Sequence, residues 1–126
     1  MKNAVVIFIG SGFGGISRYY LSKLINKINL HDFPLGIISV NIIACFLSGF
    51  FASLFIRNGI TAENHLMKLL LVVGFCGGFS TFSGFADQTI RLFQQGNQTY
   101  AVVDIFLSIT ICLFATFGGL AVSKLI

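Results

Sequence analysis

The chain has 126 residues, 56% of them hydrophobic and 10% charged, with a mean hydropathy of +0.91. A soluble domain this small would carry more charge and has too much surface to hide so much apolar side chain, so composition excludes one and leaves a single domain, residues 1–126, in a membrane or an obligate oligomer. The net charge of +4 does not signal a nucleic-acid partner, because the basic residues are scattered and lie mostly near the ends of apolar runs, where snorkelling anchors belong.

The first apolar run, AVVIFIGSGFGGIS at 4–17, reaches the ~20 residues needed to cross a bilayer only if its helix continues past Arg18. A helix over 4–25 is therefore expected. Lys2 and the apolar run have the outline of a signal peptide, but the run is short and more membrane segments follow, so the segment is read as retained. Gly10-x-Gly12-x-x-Gly15, with Asp32 about 20 residues on, copies a dinucleotide-binding fingerprint. The context refuses that reading. Lys27-Ile28-Asn29-Leu30-His31 is not strand core, and the chain offers apolar helices instead of alternating strands and helices. These glycines are read as small-residue contacts between membrane helices. Arg18 is either an anchor at the headgroups or an interior polar group.

The second run, PLGIISVNIIACFLSGFFASLFI at 34–56, has no charged residue and predicts a second span. Asn41 lies inside it, with Ser48 seven residues on and on the same face. Its amide serves either as interhelical glue or as a donor to an anion.

The third span is expected over 67–93 and contains GFCGGFSTFSGF at 74–85. Glycine weakens helices, and free backbone groups are tolerated at membrane depth only where they line a cavity or bind something. Gly77-Gly78 beside Ser80 and Thr81 predicts a break near the middle of this helix, with carbonyls free for a cation. Phe79, Phe82 and Phe85 recur every three residues beside Ser80 and Ser83. An aromatic stripe is ordinarily packing, yet ring edges are electropositive and, alternating with hydroxyls, can replace the hydration of a small anion.

The fourth span, 99–125, carries Tyr100, Asp104, Ser108, Cys112 and Thr116 at intervals of four, a polar stripe that must face protein or water unless its hydroxyls bond back to their own helix. Asp104, near the helix start, is compatible with the interface. Cys45, Cys76 and Cys112 are odd in number without CxxC spacing and read as small core residues. With four spans, Lys2, Arg57, Lys68 and Lys124 fall on one side and Arg18, Lys23, Lys27 and Arg91 on the other. Lys/Arg bias sets orientation, and here there is none, so two copies can insert oppositely and pair about a two-fold axis in the membrane plane.

The sequence resembles the Fluc/CrcB fluoride channel family. GFCGGFSTFSGF is similar to its G-x-x-G-G-[TS]-T-F-S-T-F signature with one extra residue before the hydroxyls. Gly10–Tyr19, GSGFGGISRY, resembles its first-helix motif, Pro34–Asn41, PLGIISVN, its P-x-G-T-x-x-V-N stretch, and Gly96-Asn97 recurs before the last helix. The resemblance implies an all-α membrane protein with four transmembrane helices, the third broken, assembled as an antiparallel dual-topology homodimer with two narrow fluoride pathways. It implies a pathway through Asn41, Phe82 and Phe85, with Ser83, Ser108, Thr81 and possible help from Cys112 on a polar track and Arg18 at a vestibule. It further implies a structural central Na⁺ held by the carbonyls of Gly77 and Ser80 from both copies. Gly84, Gln88 and Asp104 depart from the family pattern: they stand for a hydroxyl residue, a glutamate and a polar aromatic. A heterodimer with an unlike subunit is the variant assembly.

The expected function is passive efflux of fluoride across the cell membrane, with lipid and a second copy as partners and no enzymatic activity. The rival is a small proton-coupled multidrug exporter, which needs a carboxylate at membrane depth. A third reading is an assembly subunit without transport of its own.

Overall fold

The computed structural model describes all residues except 29–32, 34, 58, 60 and 61, together with the side chains of 62–64. Asp32 and Pro34 therefore lie outside the described residues. Four helical spans are long and apolar enough to cross a membrane: Lys2–Ile28, Leu35–Arg57, His65–Gln94 and Gln98–Leu125. All four expected spans are present, each beginning and ending within a few residues of its expected bounds. Helix α1 is Lys2–Ile28 and α2 is Leu35–Arg57. The third span is composite: α3 (Ala62–Lys68) continues into a π-helical segment, Leu69–Cys76, and a single turn, α4 (Gly77–Phe79). After Ser80 and Thr81 it resumes as α5 (Phe82–Gln94), and the chain ends with α6 (Gln98–Leu125). Gly96, at φ +80°, turns the chain between α5 and α6, a conformation that glycine adopts without strain.

Two close helix pairs organise the chain. Helix α1 lies against the π segment and α4. A Cβ on Gly10 would strike the Leu70 carbonyl, one on Gly14 the Phe75 carbonyl and one on Gly78 the Ser11 carbonyl. Helix α2 lies against α6, where Gly49 meets the Thr116 carbonyl and Gly119 the Phe46 carbonyl. Without a hydrophobic drive between helices in lipid, such backbone-to-backbone approach supplies the packing energy. Only part of the glycine motif is used in this way. Gly12 has open space around its Cβ position and Gly15 meets nothing nearer than the Gly78 carbonyl at 4.0 Å.

The core that joins the pairs is small: Val40 and Ala44 of α2 and Phe79 of α4, with Leu21 of α1 and Phe75 packed against it. Asn26 of α1 accepts the Gly36 N–H at 3.0 Å, tying the start of α2 back to α1. Most apolar side chains face outward, as lipid-facing or partner-facing surfaces do.

Candidate functional site

Helical backbone stops at Phe79 and resumes at Phe82. Between them Ser80 (φ −78°, ψ 158°) and Thr81 (φ −150°, ψ 111°) are extended. Two residues of extended chain strand backbone groups at membrane depth, and each stranded group must find a partner. Asn41 of α2 supplies two: its Oδ1 accepts the Thr81 N–H at 2.8 Å, and its Nδ2 donates to the Thr81 carbonyl at 3.2 Å. Arg18 of α1 supplies a third, donating from Nη1 to the Ser80 carbonyl at 3.2 Å. Thr81 also caps α5, its Oγ1 accepting the Gly84 N–H at 2.9 Å. The local sequence fits this cap, since Thr is a favoured residue before a helix and bonds the third N–H inside it.

One consequence falls on Gly77. In a continuous helix its carbonyl would receive the Thr81 N–H, which Asn41 takes instead. Gly77 and Ser80 line a cleft of about 170 Å³ together with Ala44, Cys45, Ser48 and Cys76.

Two larger clefts meet at Thr81. The first, about 750 Å³, is basic: Arg18, Lys23 and Lys27 line it with Thr81, Ser83 and Gly84. The second, about 230 Å³, is lined by Asn41, Thr81, Phe82, Phe85, Ser108 and Cys112 among others. Every residue that the resemblance assigned to a pathway lies on one of these two clefts. Arg18 and Ser83 line the basic one, Asn41, Phe82, Phe85 and Ser108 the aromatic one, and Thr81 both.

The proton inventory of the walls follows from the bonds. Asn41 spends one of its two amide hydrogens on Thr81 and keeps the other. Thr81 and Ser83 hydroxyls lie 3.2 Å apart, so one hydrogen is used between them and one is left over. The Ser108 hydroxyl, though on the wall, donates at 3.2 Å to Asp104 Oδ1.

The phenylalanine stripe divides. Phe79 is core, stacked on Phe75 with ring centres 5.5 Å apart, whereas Phe82 and Phe85 face each other at 5.6 Å across the cleft wall. Phe82 is 80% exposed in the single chain, an apolar ring open to whatever lies beside it. On the polar stripe of α6, Tyr100 is exposed and Thr116 bonds back to the Cys112 carbonyl at 3.0 Å. Asp104, near the start of α6, is fully buried within the protein, bonded to Thr89 Oγ1 at 2.8 Å as well as to Ser108. Sequence reasoning missed Thr89, whose only signal is its place four residues after Phe85 on the same face of α5.

Residues 5–120 match the family model described as CrcB-like protein, Camphor Resistance (CrcB). The chain is 38% identical over 126 residues, all of it and 95% of the relative, to a protein of Ruminiclostridium cellulolyticum named Fluoride-specific ion channel FluC. Proteins of the same name from Coxiella burnetii and Rhizobium johnstonii are 33% identical over 122 residues and 34% identical over 124 residues. These alignments cover 97% and 98% of this chain, and 98% of each relative.

Proposed function

The chain belongs to the CrcB-like family, and on that premise we propose that it is a fluoride-specific channel, a multi-pass membrane protein that lets fluoride pass down its gradient and catalyses no reaction. The observation that carries the reading is the junction at Thr81, where a basic cleft holding Arg18 meets a cleft walled by Phe82, Phe85 and Asn41. A cationic entrance concentrates anions. Beyond it the ion must shed water, and the walls offer partial rather than full positive charge: phenyl edges, the spare Asn41 hydrogen and the spare hydroxyl hydrogen of Thr81 and Ser83. A full charge in the narrow part would bind too tightly for release, and conduction needs sites weak enough to leave. Arg18 is accordingly turned to the Ser80 carbonyl, which holds it at the entrance.

The non-helical pair at Ser80–Thr81 is the functional break of the third span, and the assembly is an antiparallel homodimer. The backbone around the break also fits a structural Na⁺ shared by two copies. Gly77 presents a carbonyl without its helical donor and with no atom within 4 Å of its Cβ position, and Ser80 keeps one lone pair beside the Arg18 bond. Such an ion would neutralise carbonyl charge at membrane depth; this chain's own share is to hold those carbonyls clear of α2.

The test is efflux from liposomes holding the purified chain, with valinomycin releasing the counter-charge. Fast fluoride loss with little chloride loss is expected. Phe82→Ile and Phe85→Ile should each cut fluoride flux several-fold while the protein elutes unchanged. Unaltered flux in both would remove the rings from the pathway. The same assay separates the proton-coupled exporter, which Asp104 as a buried carboxylate favours. That mechanism requires movement to follow an imposed proton gradient, and the channel reading requires it to follow the fluoride gradient alone.

A further inference from the structure

As the second and fourth spans, α2 and α6 run in the same direction across the membrane. Three residue pairs follow one another along them: Asn41 with Ser108, Cys45 with Cys112, and Gly49 with Thr116, each pair one helical turn beyond the last on both helices. The first pair lies on the wall of the aromatic cleft. The third is a backbone contact, since a Cβ on Gly49 would strike the Thr116 carbonyl oxygen. Between them the thiols of Cys45 and Cys112 hydrogen-bond to each other, and both line the aromatic cleft. The expectation of three core cysteines therefore holds for Cys76, which is buried, whereas Cys45 and Cys112 are half-buried.

Two thiols in contact, on helices pinned together one turn away, are a preset pair of soft donors. Sulfur ligands of this kind select soft cations over Mg²⁺ or Ca²⁺. A structural Zn²⁺ asks for four ligands, and among the described residues no group of three or more His, Cys, Asp or Glu could hold a metal. Two donors suffice for an ion that binds linearly. Charge then selects within that class. At membrane depth an uncompensated charge is costly. A monovalent ion between two thiolates leaves one negative charge, and a divalent ion leaves none. Cys76 is the rival second donor, because it shares the small cleft with Cys45, but the hydrogen bond goes to Cys112.

We propose that Cys45 and Cys112 form a two-coordinate site for a divalent thiophilic cation, for which Hg²⁺ is the probe, set in the wall of the aromatic cleft. Two S–H bonds break, two S–Hg bonds form and two protons leave to water. No electrons change hands, and one divalent ion replaces two protons, so the charge of the protein is unchanged. The bound metal ties α2 to α6 one turn beyond Asn41 and Ser108 and obstructs the cleft there, so fluoride passage falls. That consequence rests on the reading of the aromatic cleft as a fluoride pathway; the binding itself does not.

The experiment compares the full-length chain with Cys45→Ser, Cys112→Ser and Cys76→Ser in lipid bilayers loaded with Hg²⁺. Against a competing monothiol, the wild type and C76S should hold mercury at least about 100-fold more tightly than C45S or C112S, the low end of the gain from a tethered second ligand. Retention by C45S or C112S equal to that of the wild type overturns the site, and loss from C76S transfers the second ligand to Cys76 and overturns it too. Alkylation of the wild type with and without Hg²⁺, read by peptide mass, needs no variant. The ion should protect Cys45 and Cys112 together, and protection of one without the other counts against the pair. In liposomes, mercury-loaded wild type should lose most of its fluoride efflux and recover it with dithiothreitol. Mercury retained with efflux unchanged would overturn the placement of the site on the ion's route. Absence of fluoride efflux from the mercury-free wild type would sink the channel reading, while retention and protection still decide the metal site.

Discussion

Asn41 holds both backbone groups of Thr81, and no other side chain in the described structure is placed to do so. Asn41→Asp keeps an acceptor for the Thr81 N–H but sets an oxygen against the Thr81 carbonyl, and Asn41→Ala abandons both groups. Leaving a buried backbone group unmade costs about 1–3 kcal/mol. Both variants should melt earlier in detergent, and N41D should lose most fluoride flux. A thermal midpoint unchanged in N41A would mean that water or a second chain satisfies Thr81. Gly84 gives a test of opposite sign. Replacing a helical glycine by alanine ordinarily gains roughly 0.5–1 kcal/mol. Here a Cβ would sit 2.8 Å from Thr81 Cγ2 and 3.2 Å from Ile37 Cδ1, and Thr81 is pinned by its cap and by Asn41. Gly84→Ala is therefore expected to lower the melting temperature. In a Thr81→Ser background, which lacks the offending methyl but keeps the capping oxygen, the same change should become neutral or stabilising. Additive effects in that double-mutant cycle would show that the methyl contact is not the cause.

At the scale of helices, glycines decide which faces meet. Gly14→Val drives a branched side chain into the Phe75 carbonyl and the Phe79 backbone, where overpacking costs about 1–3 kcal/mol or more. Gly12→Ala meets open space. G14V should give aggregated or unfolded protein on gel filtration, and G12A should elute and melt like the parent. Equal behaviour of the two would discard the close α1–π segment contact. This pair also marks what the sequence could and could not convey. Charge-free runs located all four spans, because crossing a bilayer imposes a length and an apolarity that composition records directly. The glycine-x-glycine spacing announced a close contact, but which glycines make it depends on the rotation of α1 against its neighbour. Three-dimensional register keeps Gly10 of that motif, passes over Gly12 and Gly15, and brings in Gly14, which the motif did not mark. The π segment at Leu69–Cys76 had no sequence signal at all. Among the site residues, Asn41 and Arg18 stood out as polar groups in apolar runs, and both bond the Ser80–Thr81 pair. Position alone sets Asp104 near a helix end; its burial comes from α5 folding back along α6 and bringing Thr89 to it, which no local pattern encodes.

At the scale of the molecule, the proposed pathway asks for more than a single chain supplies. Residues buried within the chain make up only 11–28% of the most apolar window of each span, and Phe82, on the cleft proposed for the ion, is 80% exposed. Lipid can cover outward leucines and phenylalanines, but an ion pathway open along one side to hydrocarbon would not conduct, since the unhydrated face offers an ion nothing. A second copy closing that side is the economical answer. The equal division of Lys and Arg between the two sides lets that copy be inverted, because no excess of positive charge fixes an orientation. The balance can be tipped at exposed positions away from both clefts. Gln94→Lys with Gln95→Lys adds charge to the side bearing the α5–α6 turn, and Asn3→Lys with Ile126→Lys adds it to the opposite side. Each double variant should insert in one orientation, as a membrane-impermeant label on intact cells would report. Each alone should leave cells without fluoride efflux, because every copy then lacks an inverted partner. Expressing the two together should restore efflux. Full efflux from either biased variant alone would require a parallel assembly or a pathway enclosed by one chain, and the open flank at Phe82 argues against the second.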